Sequence, residues 1–252
     1  MTEYLVTDTD LTTVANAIRE KAGTTDQLSF PTGFAEAISN ISTGGGLTEP
    51  YVLETYDRYG YLIAAKLVGH TSIREFAFGN CTRLTSIEFP SNITKINANA
   101  FYRCTNLALT SLPPGITEIK DNAFQECRNL ALTELPSEIT IINYYSFNGC
   151  INLALTSLPP GITEIKDYAF KDCVKLNITK IPANVNKINF YAFSKCTSLT
   201  SITFEGTPST INSMAFHNCT NLTTINVPWA EGVVAGAPWG ATNATINYNY
   251  TE

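Results

Sequence analysis

A solenoid of stacked coils is the fold class that this 252-residue sequence predicts, and ladders of one common step predict it. Phenylalanine recurs at Phe78, Phe101, Phe124, Phe147, Phe170, Phe193 and Phe216, each 23 residues after the last. Cysteine keeps the same step at Cys81, Cys104, Cys127, Cys150, Cys173, Cys196 and Cys219, which are all seven cysteines of the chain. A leucine stands three residues after each cysteine, from Leu84 to Leu222, and an isoleucine five residues before each phenylalanine, from Ile73 to Ile211. The unit reads I-x-x-x-[AS]-F-x-x-C-x-x-L. One such unit cannot bury its own apolar side chains, so copies must stack, and an invariant length keeps Phe on Phe and Cys on Cys.

A period of roughly 20 to 29 residues with leucine and isoleucine ladders indicates leucine-rich repeats. The A-F-x-x-C-x-x-L unit, followed by a strand and a proline, resembles the BspA-type leucine-rich repeat of bacteria. The resemblance implies a strand-dominated α/β solenoid of seven coils over residues 73–227, used as a scaffold by binding and adhesion proteins.

Taken in order, the chain begins with a small helical module, residues 1–43. Asp10 is a good N-cap for a helix over residues 10–22, whose apolar face is Leu11, Val14, Ala15 and Ile18, and Gly23 ends it. A second helix is expected from Thr32 to Asn40, with Phe34, Ala37, Ile38 and Ile41 as its apolar side. So few large side chains make a poor independent core. The run D-L-T-T-V-A-N-A-I-R-E-K-A-G-T-T-D-Q-L-S-F-P-T-G-F-A-E-A-I resembles the N-termini of tail-associated proteins from phages and prophages of Gram-positive bacteria. It implies attachment to a phage-like assembly through residues 1–43, and by analogy with such modules a homo-oligomer. Three consecutive glycines, Gly44 to Gly46, make residues 44–48 a flexible linker.

Residues 49–72 alternate on both sides of a Gly60-containing turn, the pattern of a β-hairpin, placed where a solenoid end needs a cap. In each coil the residues after the ladder leucine are expected to form a strand, as in Leu84 to Phe89 or Leu130 to Leu135, ended by proline. A second short extended piece follows, as in Ile93 to Ile96. The A-F-x-x-C section is expected to be one turn of helix or 3₁₀. Coils two to five carry L-x-L-T-x-L or its isoleucine form, and coils one, six and seven L-x-x-I-x-[FV]. Residues 228–252 break the period, carry Trp229 and Trp239 and end in a strand with Ile246, Tyr248 and Tyr250 on one face. They are expected to close the last coil as an aromatic cap. Their P-W and P-W-G-A pair resembles the C-termini of the same phage-associated proteins.

Composition excludes several function classes. Charged residues are only 15% of the chain against 44% apolar, and a net charge of −6 argues against binding a phosphate backbone, so no nucleic-acid partner is expected. No C-x-x-C occurs and there are two histidines, so no metal or cofactor site is predicted. A cysteine held between a buried Phe and a buried Leu reads as a free-thiol ladder. The acidic start of the chain lacks a secretion signal, and no apolar run is long enough to insert in a membrane. Synthesis in the cytoplasm is expected, with a virion or extracellular role after release.

No catalytic constellation is present, so the chain is read as a non-enzyme. Glu88 and Glu134, and Glu118 and Glu164, would stand roughly 10 Å apart across two strand spacings, a separation glycosidases use, but a solvated face explains them better. Two exposed lines are candidate binding surfaces for a protein or a cell-surface glycan. One is the outward strand row that includes Glu88, Glu134 and Lys180. The other is Tyr145, Tyr168 and Tyr191, in the same place in successive coils, flanked by Tyr144 and Phe190; tyrosine faces supply contact area and a polar tip at low entropy cost. Asn99, Asn122 and Met214 hold that place elsewhere. The competing expectation is a rigid spacer without a ligand.

Overall fold

The computed structural model describes residues 51–251. The expected module at residues 1–43 and the linker at 44–48 lie outside the described residues. Strands β1 (Tyr51–Tyr56) and β2 (Leu62–Val68) form the antiparallel hairpin. Its turn is held by Asp57, whose Oδ1 accepts from the amides of Tyr59 at 2.9 Å and Tyr61 at 3.0 Å, and by Gly60 at φ +80°. From there the chain winds as a solenoid with two arcs of short parallel strands.

The first arc is the extended piece ending in the ladder isoleucine: β3 (Ser72–Ile73), β5 (Lys95–Ile96), β6 (Glu118–Ile119), β7 (Ile141–Ile142), β8 (Glu164–Ile165), β10 (Lys187–Ile188) and β12 (Thr210–Ile211). Every neighbouring pair is parallel and in register, except that the ladder breaks between β6 and β7. There the Asn143 side chain, not a strand ladder, reaches back to the Ile119 carbonyl at 2.7 Å.

The second arc follows the ladder leucine: β4 (Ser86–Glu88), β9 (Lys180–Ile181), β11 (Ser201–Phe204), β13 (Thr224–Asn226) and β14 (Thr245–Asn247). It corrects one expectation, because coils two to four have no strand here. In the L-x-x-I-x-[FV] coils the inward residues are two apart, which matches the strand period. In Leu130-Ala-Leu132-Thr-Glu-Leu135 they are three apart, and alternation would turn one of them outward. The chain bends instead, which buries both Leu132 and Leu135, and coils join through single bonds such as Ala131 N to Leu109 O at 2.9 Å and Ala154 N to Leu132 O at 3.0 Å.

A second correction concerns the A-F-x-x-C section, which contains no helix or 3₁₀ turn; the described residues are strands and turns, not α/β. In coil four the amides of Ser146, Asn148 and Cys150 close turns on Asn143, Tyr145 and Phe147, while those of Tyr145, Gly149 and Phe147 reach the next coil at Asp167, Lys171 and Ala169. Alternation between own coil and next coil needs a left-handed residue twice per coil. Those residues are Tyr145 at φ +53° and Gly149 at φ +74°, with equivalents in most other coils. Such a backbone cannot propagate as a helix.

The core is the stack of ladders. Successive Phe rings from Phe78 to Phe216 lie 5.2–5.7 Å apart and nearly parallel. All seven cysteines are free, and six are buried. Each of these six donates its thiol to the carbonyl of the previous coil's Phe, from Cys104 to Phe78 at 2.9 Å through Cys219 to Phe193 at 3.0 Å. Cys81 is half-buried and has no earlier coil to donate to. Burial pushes the Cys104 and Cys219 thiols up to about 12 and drives those of Cys127, Cys173 and Cys196 well above the usual thiol range.

The C-terminal residues differ from the expected lid in that they wind once more. Phe216 N donates to Trp239 O at 2.9 Å, and β14 lies parallel on β13 in a register of 21 residues instead of 23. Trp239 is fully buried, with Trp229 edge-on to it at 6.3 Å and Phe204 tilted against it at 6.1 Å. Phe204 itself meets Trp229 edge-on at 5.3 Å, and the Trp239 Nε1 donates to Ala235 O at 2.8 Å. A larger ring fills the place of coil eight's missing core residues, so a shorter turn suffices.

Candidate recognition surface

The two candidate lines lie on different arcs. Along the strand row, side chains bond mainly to each other. Lys66 pairs with Glu88 at 3.0 Å, Lys180 with Glu205 at 3.4 Å, and Asn226 and Asn247 continue an amide and hydroxyl chain from Thr203 at 3.1 and 2.8 Å. Glu134 is exposed. Of the carboxylates weighed as acids, Glu118 is held below the usual carboxylate range by the Lys120 ammonium and by Lys95 at 3.1 Å, and Glu164 accepts from Asn189 at 2.8 Å. A general acid needs the opposite shift.

Tyr145, Tyr168 and Tyr191 come together as a stack, with centroids 4.6 and 5.4 Å apart and rings 8° and 19° from parallel. Each stands on the first left-handed position of its coil, at φ +53°, +59° and +54°. Asn99 and Asn122 hold that position at φ +56° in the two preceding coils. Asparagine is among the residues that tolerate this conformation best, and a bulky side chain there costs on the order of 1 kcal/mol or more. The tyrosines are therefore not what the backbone asks for.

Phe190 sits edge-on to both Tyr168 at 5.7 Å and Tyr191 at 4.1 Å, and His217 closes the far end edge-on to Tyr191 at 5.4 Å. Tyr144 lies beside the row with Lys166 Nζ 4.8 Å over its ring; the same ammonium donates to Asn143 Oδ1 at 3.0 Å. Met214, one coil beyond Tyr191 and exposed, prolongs the row. Sequence reasoning set Met214 against a binding role and passed over His217; the 23-residue step itself is the signal that places Met214 in line. The stacking uses the ring faces on one another, so what the row presents outward is ring edges and phenol groups. Among the described residues none of the three hydroxyls has an intramolecular partner. Burial, the neighbouring Tyr168 and Asp167 push the Tyr145 phenol up, against Lys171, so it stays a proton donor at neutral pH.

The model of the BspA type leucine rich repeat region matches this chain in six copies, over residues 68–177 and 117–231. The chain belongs to that family. No curated protein matches it. Among solved structures it is similar to a leucine rich cell surface protein from Faecalibacterium prausnitzii A2-165, with 27% identity and a TM-score of 0.53 over 62% of this chain and 52% of that one. It is similar in fold to the T. pallidum leucine rich repeat protein, at 24% identity and a TM-score of 0.54 over 67% of this chain and 86% of that one. The chain thus spans about half the length of the Faecalibacterium protein. No helix among the described residues is long and apolar enough to cross a membrane, and no group of side chains there could hold a metal ion.

Proposed function

We propose that this is a non-enzymatic recognition protein, a rigid solenoid that holds the Tyr145, Tyr168 and Tyr191 row toward a partner at a bacterial surface. The observation that carries this is the run of tyrosine at three successive left-handed positions, which asparagine holds in coils two and three and Phe76 in coil one. Similarity to a leucine rich cell surface protein supports the setting. In this reading the hairpin and the Trp229 and Trp239 turn close the two ends of the core, and residues 1–43 join the solenoid to a larger assembly of phage or prophage tail type. Deleting residues 1–43 leaves a folded solenoid that no longer joins that assembly; unfolding of the remainder would count against the modular view.

The test of recognition is binding of the full chain to a panel of bacterial cell walls and matrix proteins, beside the variant Tyr145→Asn, Tyr168→Asn, Tyr191→Asn. Binding that the folded variant loses supports the reading. Equal binding by both places the contact away from the tyrosine row, and no binding by either favours a spacer without a ligand, a reading that the self-satisfied strand row, Lys66 to Glu88 and Thr203 to Asn226 to Asn247, independently favours for that face.

A further inference from the structure

Resting on the reading of the tyrosine row as the contact surface, we propose that its ligand is a neutral, linear 1→4-linked polysaccharide that lies along the solenoid axis, one sugar ring to each coil from Tyr145 to Met214. Spacing decides between polymers. The row repeats every 4.6 to 5.4 Å. An extended chain of 1→4-linked pyranoses advances by one ring over a closely similar step, so each coil meets an equivalent unit. An extended peptide advances roughly 3.3 Å per residue and shows the same side every second residue, roughly 6.6 Å. It falls out of register with the row within three coils.

The chemistry presented outward agrees. Because the faces of Tyr145, Tyr168 and Tyr191 are turned onto each other, the row offers unpartnered phenol hydroxyls at one per coil, which can donate to and accept from sugar hydroxyls. The exposed side chains of Phe190 and Met214 supply the apolar ground against which sugar C–H groups can rest. The charges beside the row nearly cancel: Lys171 and Lys195 share Asp172, and Asp167 accepts from the Phe190 amide at 3.0 Å near Lys166. With a chain of net charge −6, that balance fits a neutral polymer and not a polyanion.

The experiment is calorimetric titration of the full chain with β-1,4-linked oligomers of glucose, mannose and N-acetylglucosamine, from disaccharide to hexasaccharide. Affinity should rise with each added ring up to the tetrasaccharide, then level. Tyr168→Asn, in the middle of the row, should weaken tetrasaccharide binding by about tenfold or more, equivalent to about 1.4 kcal/mol, with an unchanged circular dichroism spectrum. Affinity that does not depend on length, or no binding by any oligomer, overturns the proposal. A parallel arm uses cell walls before and after periodate oxidation of their carbohydrate. Row-dependent binding that survives oxidation overturns the glycan and keeps the recognition reading, whereas binding indifferent to Tyr168→Asn before oxidation overturns that reading itself.

Discussion

Two aromatic ladders run along this solenoid, and they share a geometry while differing in what holds them. The Phe rings are parallel, 5.2–5.7 Å apart and fully buried from Phe101 onward; the Tyr rings are parallel, 4.6 and 5.4 Å apart and only partly covered. The Phe ladder sits on backbone of ordinary negative φ and excludes water. The Tyr ladder sits on left-handed backbone, so a stacking gain of about 0.5–1.5 kcal/mol per pair is set against a similar conformational cost. One ladder makes the fold, and the other is carried by it at little net effect on stability.

The largest effect that would break this contrast comes from Phe147→Ala, in the middle of the core stack. It should cost about 3 to 5 kcal/mol in chemical denaturation, since a ring with neighbours on both faces leaves a cavity that the rigid coil cannot fill. A loss below about 1 kcal/mol would mean that the coil collapses around the gap.

Next comes alkaline pH, which attacks the cysteines beside that stack. Their folded pKa values lie above the unfolded value near 9, so their contribution is fully present below pH 9 and is lost as pH rises toward 12. Each titrating thiol should remove about 1.4 kcal/mol per pH unit in that window. Denaturation midpoints at pH 7, 9 and 10.5 check the sign. In the native state at pH 8, a disulfide reagent should label half-buried Cys81 well before the other six; labelling of all seven at one rate would contradict the buried thiol ladder.

A smaller effect is expected where the left-handed backbone is occupied by glycine. Gly149→Ala keeps φ near +74° and brings its methyl to within 2.7 Å of the flexible Glu126 carboxylate. Other coils carry Arg103, Glu126, Asp172 and Lys195 at this position, so the cost should be about 1 kcal/mol in thermal denaturation. Last is Tyr168→Asn, which trades two stacks for a relaxed backbone and should shift stability by about 1 kcal/mol or less. A cost as large as that of Phe147→Ala would show that the tyrosine row is structural, and with it sink the recognition reading.

Much of this was legible from spacing. The 23-residue step put Phe78 through Phe216 and the cysteines in one core, and the extended piece expected at Ile93 to Ile96 holds the short strand Lys95–Ile96. The hairpin at residues 51–68 was legible from alternation about Gly60. Less legible was the arc after the ladder leucine, where Leu130, Leu132 and Leu135 look strand-like in composition yet bend so that all three are buried. The tyrosines were visible as a row, but their faces looked free.

The sequence by itself determined which residues recur together, hence the solenoid, its Phe, Cys and Leu ladders and the in-line Tyr145, Tyr168 and Tyr191, because a fixed repeat length leaves stacking as the only way to bury them. Only the tertiary structure decided what backbone carries each position and which surface of a ring remains available. The turns of the A-F-x-x-C section are tied to the next coil by bonds from Tyr145 N to Asp167 O and from Gly149 N to Lys171 O, and those bonds do not exist within one repeat. The left-handed tyrosines, their occupied faces and the unpaired hydroxyls all follow from contacts between coils.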